Sequence, residues 1–383
     1  MRKNTIKYVG FYDLPNSKNA RVCNLAATNK MNYICSVLNR LGHQVEIVSP
    51  SWMTDTSEKG FEKGKKIALD DNLFLISCPS WKTKYKFTRN IKIFFSLVWL
   101  FCYLIFNVKK DEKVFAYHVQ WISIPLRLAK YIKKFSLILE VEEIYGEVWK
   151  ESKKLQGMEE KLIKKADKYI FVSEILKEKV NSKGKDSVVL YGSYVLPEIK
   201  RRIKFNENEI SLVYAGSIDS IKGGAYKAVE AMLYLPKGYK LHIIGHGSED
   251  QLSYLSNLIK QVNAYRKNEV CVYDGTLVNE EYTRYLLNCD IALNPQNEGI
   301  YMSTAFPSKV ISYLSHDLYV ISTEIESVKK SSISKNITFL KDNNPQSIAK
   351  AILNADLSSV LNNNKLIKKL DDDFLIGMKR LLN

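Results

Sequence analysis

The sequence predicts an α/β protein of two domains, each a parallel β-sheet covered by helices on both faces. Three observations carry this. The 383 residues exceed what one ordinary core organises. Short β-rich apolar runs alternate with stretches of helical period along the whole chain, which is the pattern of parallel sheets. That alternation breaks over residues 192–208, where Pro197 and the basic run Lys200-Arg201-Arg202 intervene. A composition of 46% hydrophobic and 26% charged residues excludes disordered and fibrous classes.

In the first half, residues 6–11 read as a buried strand, followed by a polar loop with Pro15, Asn16 and Asn19. Thr28 is the expected N-cap of a helix to Leu41, with Met31, Ile34, Cys35, Leu38 and Leu41 on one face. Gly42 ends it, and residues 44–48 form the next strand. Further strands are expected at 73–77, 114–118, 137–141, 168–172 and 188–191, with helices including 126–134 and 158–166. The second half predicts strands at 211–215, 241–244, 270–273, 291–294, 319–322 and 337–340, with helices including 225–233, 250–262 and 280–287. An Asn- and Lys-rich segment after Ala355 ends in a helix over 374–382. The expected division is a first domain over 1–195, a linker over 196–208, a second domain over 209–355, and a helical segment over 356–383 packing back on the first.

The net charge of +16 is uneven: residues 1–200 hold 35 Lys+Arg against 21 Asp+Glu, and residues 201–383 hold 22 against 20. Any anionic surface is therefore met by the first half. The six cysteines are scattered without ligand-like spacing, which predicts reduced thiols in a cytoplasm and no metal site. Met1 to Lys7 lack the apolar core of a signal peptide. Residues 91–108 are apolar or aromatic at 15 of 18 positions, the exceptions being Lys92, Ser96 and Asn107. Two readings stand side by side: a buried helix of the first domain, or a helix at an anionic membrane surface, its cations being Lys82, Lys84, Lys86, Arg89 and Lys92 before it and Lys109, Lys110 and Lys113 after it. No aromatic-basic motif of a nucleic-acid module is visible, so nucleic acid is not an expected partner.

Three segments of the second half follow strands where an open parallel sheet gathers its ligand. The first is Ala215 to Gly224, in which Gly216 permits close backbone approach and Lys222 places a cation near a helix start. The second is Gly245-His246-Gly247-Ser248. The third is Phe306-Pro307-Ser308-Lys309, where Ser308 or its neighbour is expected to cap a helix whose free amides join the Lys309 ammonium. Together they suit a diphosphate. His242 and His246 lie on a strand and its turn, which excludes a metal pair there. Asp371-Asp372-Asp373 reads as a solvated acidic patch.

With Tyr273-Asp274-Gly275 and Cys289 to Pro295 added, residues 209–325 resemble the donor domain of family-4 GT-B glycosyltransferases. The first half resembles the acceptor domain more loosely, through its element order and Leu139-Glu140-Val141-Glu142-Glu143. Asn294-Pro295-Gln296 and Phe306-Pro307-Ser308-Lys309 are similar to enzymes that build bacterial capsular or exopolysaccharide units.

The resemblance implies two Rossmann-like domains facing across a cleft, and retaining, metal-independent transfer from a UDP- or GDP-linked sugar. The acceptor it implies is a glycan or lipid-diphosphate-linked sugar, at the inner face of the cell membrane. It assigns Lys222, Lys309 and His118 to catalysis, although a satisfied strand-end histidine is an equal reading of His118. It assigns donor contacts to Gly216, Ser217, Gly245, His246, Tyr273, Asp274, Gly275, Pro295, Gln296, Phe306, Pro307 and Ser308. Glu142 and Glu143 are its acceptor candidates.

The family often carries Arg where Ser217 stands, and two Glu where Thr304 and Ser312 stand; Glu298 is a substitute for the sugar-binding one. Those departures keep a catalytically silent partner subunit open, and a nucleotide-sugar epimerase shares the architecture. A dehydrogenase is disfavoured, since no Gly-x-Gly-x-x-Gly follows the first strand.

Overall fold

The computed structural model describes residues 5–14, 17, 20–54, 60–148, 153–198, 205–206, 208–297, 299, 304–357 and 362–383. It divides into two compact units, Met1–Leu190 with Asp373–Asn383, and Tyr191–Asp372.

The first unit carries strands β1 (Thr5–Val9), β2 (Gln44–Ser49), β3 (Lys65–Asp70), β4 (Leu73–Ser77), β5 (Lys113–Tyr117), β6 (Ser136–Val141), β7 (Lys168–Phe171) and β8 (Ser187–Val189). They form one sheet in the order β8-β7-β6-β5-β1-β2-β4-β3. All pairs are parallel except β3 with β4. The central strands are almost wholly buried, as expected for a sheet covered on both faces. Strand β3 was not apparent from sequence. Its Lys65-Lys66-Ile67-Ala68-Leu69-Asp70 is half charged and largely exposed, as suits a solvent-facing edge.

Helix α1 (Leu25–Arg40) buries Met31, Ile34, Cys35 and Leu38 as their spacing requires. Its cap is Asn24, whose Oδ1 accepts from the amides of Ala26 (2.9 Å) and Ala27 (3.3 Å). The expected cap, Thr28, lies a turn inside the helix and is buried. Asn24 takes the position because it adopts the extended backbone a cap needs.

Residues 91–108 belong to helix α2 (Lys86–Asn107), and the buried-helix reading fails. Its buried residues are Lys92, Ser96, Leu100 and Leu104, while every other apolar side chain of the helix is partly or fully exposed. Next to it packs α3 (Ser123–Lys133).

The second unit carries β9 (Ile210–Ala215), β10 (Tyr239–Ile244), β11 (Cys271–Tyr273), β12 (Ile291–Asn294), β13 (Tyr319–Thr323) and β14 (Ile337–Leu340), all parallel. Their order is β11-β10-β9-β12-β13-β14, so the first and fourth strands of the unit are neighbours. This is the doubly wound Rossmann order, whose chain reverses direction of travel between β9 and β12. One face is packed by α4 (Gly224–Ala231), α5 (Glu249–Arg266) and α6 (Pro345–Leu353) around Leu212, Tyr214, Val229, Leu241, Leu255 and Ile348.

The last helix runs Asn363–Leu382, eleven residues longer than its apolar pattern suggested, and contains Asp371 to Asp373. Its end belongs to the first unit. Phe374 stacks on Tyr33 (5.8 Å), Arg380 donates to the Ser187 carbonyl (3.2 Å), and Lys168 Nζ donates to the Leu381 carbonyl (2.8 Å).

Candidate active site

In the second unit the loops leaving β9, β10, β11 and β12 converge beyond the carboxyl strand ends, the place where this topology opens a binding crevice. Gly216 and Gly245 set the closest approach. The Gly216 amide donates to the Ile244 carbonyl (2.9 Å), and a Cβ on Gly245 would lie 1.8 Å from the Gly216 carbonyl oxygen. No side chain fits there. The Ile218 amide donates to the His246 carbonyl (2.8 Å), and Gly247 leaves room only for hydrogen against the Ile218 carbonyl. The third loop fastens to the second. The Gly245 amide donates to the Gly275 carbonyl (2.9 Å), and the Gly245 carbonyl accepts from Tyr273 Oη (2.8 Å) and Thr276 Oγ1 (3.0 Å). Tyr273 is therefore a strut of the loop. Asp274 faces His242, with its Oδ2 3.3 Å from the ring Nδ1.

The loop of Lys222 is held by backbone bonds and its side chain is exposed. Asp219 Oδ1 accepts from the Lys222 amide (2.7 Å), and the Lys222 carbonyl accepts from the Asn297 amide (2.7 Å). Asn297 also donates to the Ile221 carbonyl (3.1 Å) and accepts from Asn343 (2.7 Å). Gly223, at φ +62°, leaves the space that the Asn297 amide occupies. Asn297 joins the two sides of the β9–β12 crevice and was not singled out in the sequence.

Lys309 opens a short helix of its own (Lys309–Ser315) and is half-buried. Its Nζ lies 3.5 Å from where a Gly216 Cβ would be and 4.0 Å from the centroid of the Tyr214 ring. Burial first, then the Lys222 charge, brings its pKa down to about 7, with Asp219 opposing. Tyr313 explains the placement. One turn along the same helix, it is fully buried, and its hydroxyl accepts from the Ala215 amide (2.8 Å) and donates to the Ala215 carbonyl (3.1 Å). That pair of bonds pins the helix to the residue before Gly216. Tyr313 was legible only as one more apolar helix position.

The expected cap at Ser308 is absent. Ser308 has helical backbone angles and makes no side-chain cap bond. The expected free amides are also engaged, since those of Val310 and Ile311 donate to the carbonyls of Pro307 (2.9 Å) and Ser308 (3.1 Å). Pro307 sets up a tight turn that uses its own carbonyls, leaving the ammonium as this segment's contribution to an anion. Phe306 is buried and stacks on Tyr191 (4.8 Å).

Ser217 is exposed, and its carbonyl accepts from Tyr214 Oη (2.9 Å). Pro295 is buried. Gln296 is buried and donates to Asn294 Oδ1 (2.8 Å). Thr304 is buried, and Ser312 Oγ lies 3.2 Å from Tyr282 Oη. Glu298 lies outside the described residues.

In the first unit, His118 is fully enclosed, its Nε2 3.4 Å from Glu159 Oε1 and its ring 5.3 Å from that of Tyr145. Burial lowers its pKa to about 4, so the imidazole is neutral at pH 7. Glu142 takes the Lys30 ammonium, which also lies 3.8 Å from Glu140 Oε1. Glu140 is fully buried and accepts from the Tyr8 hydroxyl. Its burial and the nearby Glu142 push its carboxyl well above the usual range, against Lys30. Glu143 is half-buried beside this cluster's chain segment. Among the described residues no three His, Cys, Asp or Glu side chains gather as a metal site would require.

The geometry can be set beside known proteins. Residues 209–355 match the family model described as glycosyl transferases group 1. No curated protein matches the chain by sequence. Among solved structures, the chain is similar to sucrose-phosphate synthase from Thermosynechococcus elongatus, with a TM-score of 0.70 at 13% identity over 99% of this chain and 98% of that one. It is similar to an E. coli trehalose-6-phosphate protein bound with UDP-2-fluoro glucose, with a TM-score of 0.68 at 12% identity over 99% and 98%. A third is HepE of Anabaena in complex with UDP and glucose, with a TM-score of 0.64 at 10% identity over 99% and 98%. Residues 209–355 are a glycosyl transferases group 1 domain, carried on a chain with the two Rossmann-like domains of the GT-B fold.

Proposed function

We propose that this glycosyltransferase takes its sugar from a nucleoside diphosphate held by the second unit and passes it to a glycan or lipid-linked acceptor bound by the first. The observation that carries the reading is the placement of the Lys309 ammonium over Gly216 at the β9–β12 reversal, with Lys222 contributing to the same field. Two cations beside a bare backbone suit the two phosphates of such a donor. The UDP ligands of the E. coli and Anabaena structures support a UDP-linked donor here.

In the transfer, the bond from the anomeric carbon to the diphosphate oxygen breaks and a bond to the acceptor hydroxyl oxygen forms. The acceptor proton passes to the departing phosphate oxygen, and the nucleoside diphosphate leaves. Lys222 and Lys309 stabilise the charge that develops on it, so positioning and electrostatics supply most of the rate. Configuration at the anomeric carbon is retained, and no metal is needed. His118, neutral and enclosed, packs against Tyr145 and Glu159 on the acceptor-binding unit, where Glu142 and Glu143 take acceptor hydroxyls. The narrower assignment is family 4 and bacterial surface polysaccharide assembly, on the cytoplasmic side.

A screen of UDP- and GDP-sugars for hydrolysis, with calorimetric titration of UDP and GDP, tests this. Turnover of one donor that Lys222→Ala and Lys309→Ala both remove is the expected result. Binding without turnover for every donor would favour the silent-subunit reading, to which Thr304 and Ser312 in place of carboxylates point. No nucleotide binding at all would refute the site.

A further inference from the structure

Helix α2 buries a polar-rich stripe and exposes an apolar one. Lys92 Nζ donates to the carbonyls of Met53 (2.7 Å) and Trp81 (2.9 Å), and the Ser96 hydroxyl donates to that of Pro50. On the opposite side stand Phe87 (75% exposed), Ile91 (44%), Phe94 (68%), Val98 (41%) and Phe106 (82%), spaced as one helical face. The adjoining α3 repeats the arrangement with Ile124, Leu128, Tyr131 and Ile132, each about half exposed or more. Among the described residues, 12 of 23 exposed large hydrophobic side chains fall within residues 85–132, so this is a patch and not scatter.

The surroundings of the patch have one sign. Residues 82–134 contain 12 Lys+Arg and only Asp111 and Glu112 as acids. Exposed cations stand where α2 begins (Lys84, Lys86, Arg89), where it ends (Lys109, Lys110) and at the end of α3 (Lys134). A second copy of the chain would set this rim against its own image, like charge on like. An anionic lipid surface meets both the apolar face and the rim.

We propose that the α2–α3 face docks the protein on an anionic phospholipid bilayer, with α2 lying in the headgroup plane. At 22 residues α2 is long enough to cross. Crossing would break the bonds of Lys92 and Ser96, and would separate β4 from β5, which belong to one sheet on either side of the helix. The face therefore lies on the membrane and does not span it. This inference stands apart from the proposed glycosyl transfer, because vesicle binding is read without donor or acceptor.

Flotation of the full chain with vesicles of phosphatidylcholine, with and without phosphatidylglycerol, tests it. The chain is expected to float with the anionic vesicles. Lys84→Gln, Lys86→Gln and Arg89→Gln together are expected to weaken that binding on the order of 100-fold, the attraction three basic residues supply near such a surface. Phe94→Asp with Leu128→Asp is expected to abolish it. Both positions are exposed, and unchanged thermal unfolding and UDP titration show that the variant remains folded. Equal binding by the triple variant and the parent chain would overturn the proposal. A parent chain that ignores both vesicles but dimerises in light scattering, and loses the dimer in Phe94→Asp, would replace the bilayer with a second copy.

Discussion

Replacing Gly245 by Ala tests the geometry of the donor site most directly. The new Cβ would stand 1.8 Å from the Gly216 carbonyl oxygen, where such contacts do not fall below 3.0 Å, so the two loops must part by at least about 1.2 Å. Overpacking of this kind costs roughly 1–3 kcal/mol, and the positive φ of +155° adds about 1 more. Thermal unfolding should therefore fall by several degrees. The parting also shifts Gly216 relative to Lys309, whose Nζ lies 3.5 Å from the Gly216 Cβ position, and a displacement of about 1 Å at a reacting centre can cost on the order of 100-fold in rate. Gly275→Ala is the control. Its φ is +78°, but nothing lies within 4 Å of the added carbon, so it carries the backbone cost of about 1 kcal/mol alone. Differential scanning calorimetry and UDP titration of both variants separate the two effects. If Gly245→Ala matches Gly275→Ala in melting temperature and UDP affinity, the close approach of the two loops is refuted.

Lys309 predicts a pH dependence. Its pKa of about 7 means that the ammonium is lost as pH rises through neutrality, so UDP affinity should fall between pH 6 and 8.5. Lys309→Met should flatten that profile at a low level and Lys309→Arg should flatten it at a high one; a parent profile without slope would refute the assignment. Lys222→Ala should abolish turnover while shifting stability by no more than about 0.5 kcal/mol, because the side chain is exposed, as activity assays and melts would show. Tyr313→Phe removes both bonds to Ala215 and strands a buried amide, at about 1–3 kcal/mol, and should weaken UDP binding by releasing the Lys309 helix. A calorimetric binding constant equal to that of the parent would show that Tyr313 does not position Lys309.

The strands of the second unit were legible because each is a short apolar run, the first four of them closed by Gly216, Gly245, Asp274 and Asn294, and hydrophobic period reports burial directly. The glycine turns were legible because glycine marks where backbone approaches backbone. What escaped depends on distant partners. Nothing local distinguishes Tyr313 from its neighbours Ile311 and Leu314, which are equally buried; its hydroxyl finds Ala215 only after the sheet has formed. Asn297 looked like loop chemistry, and its role requires the loop of Lys222 to be folded against it. Ser308 misled for the opposite reason. A serine before a helix usually caps it, but Pro307 fixes a turn whose carbonyls already serve the first amides. In α2 the composition left a buried and a surface reading open, because a helix apolar nearly all round does not declare which side the polar exceptions take.

The first unit is assembled from both ends of the sequence. Its sheet spans residues up to Val189, but Phe374, Gly377 and Arg380 complete the packing at Tyr33, Val188 and Ser187. On the ribosome, residues 373–383 emerge only after the whole second unit has been made. The donor-type unit can therefore finish folding first although it is synthesised second. A fragment cut at Leu190 would expose the Tyr33 ring and the Val188 edge, so the smallest form of the first unit suited to isolated study is residues 1–190 joined by a linker to 373–383.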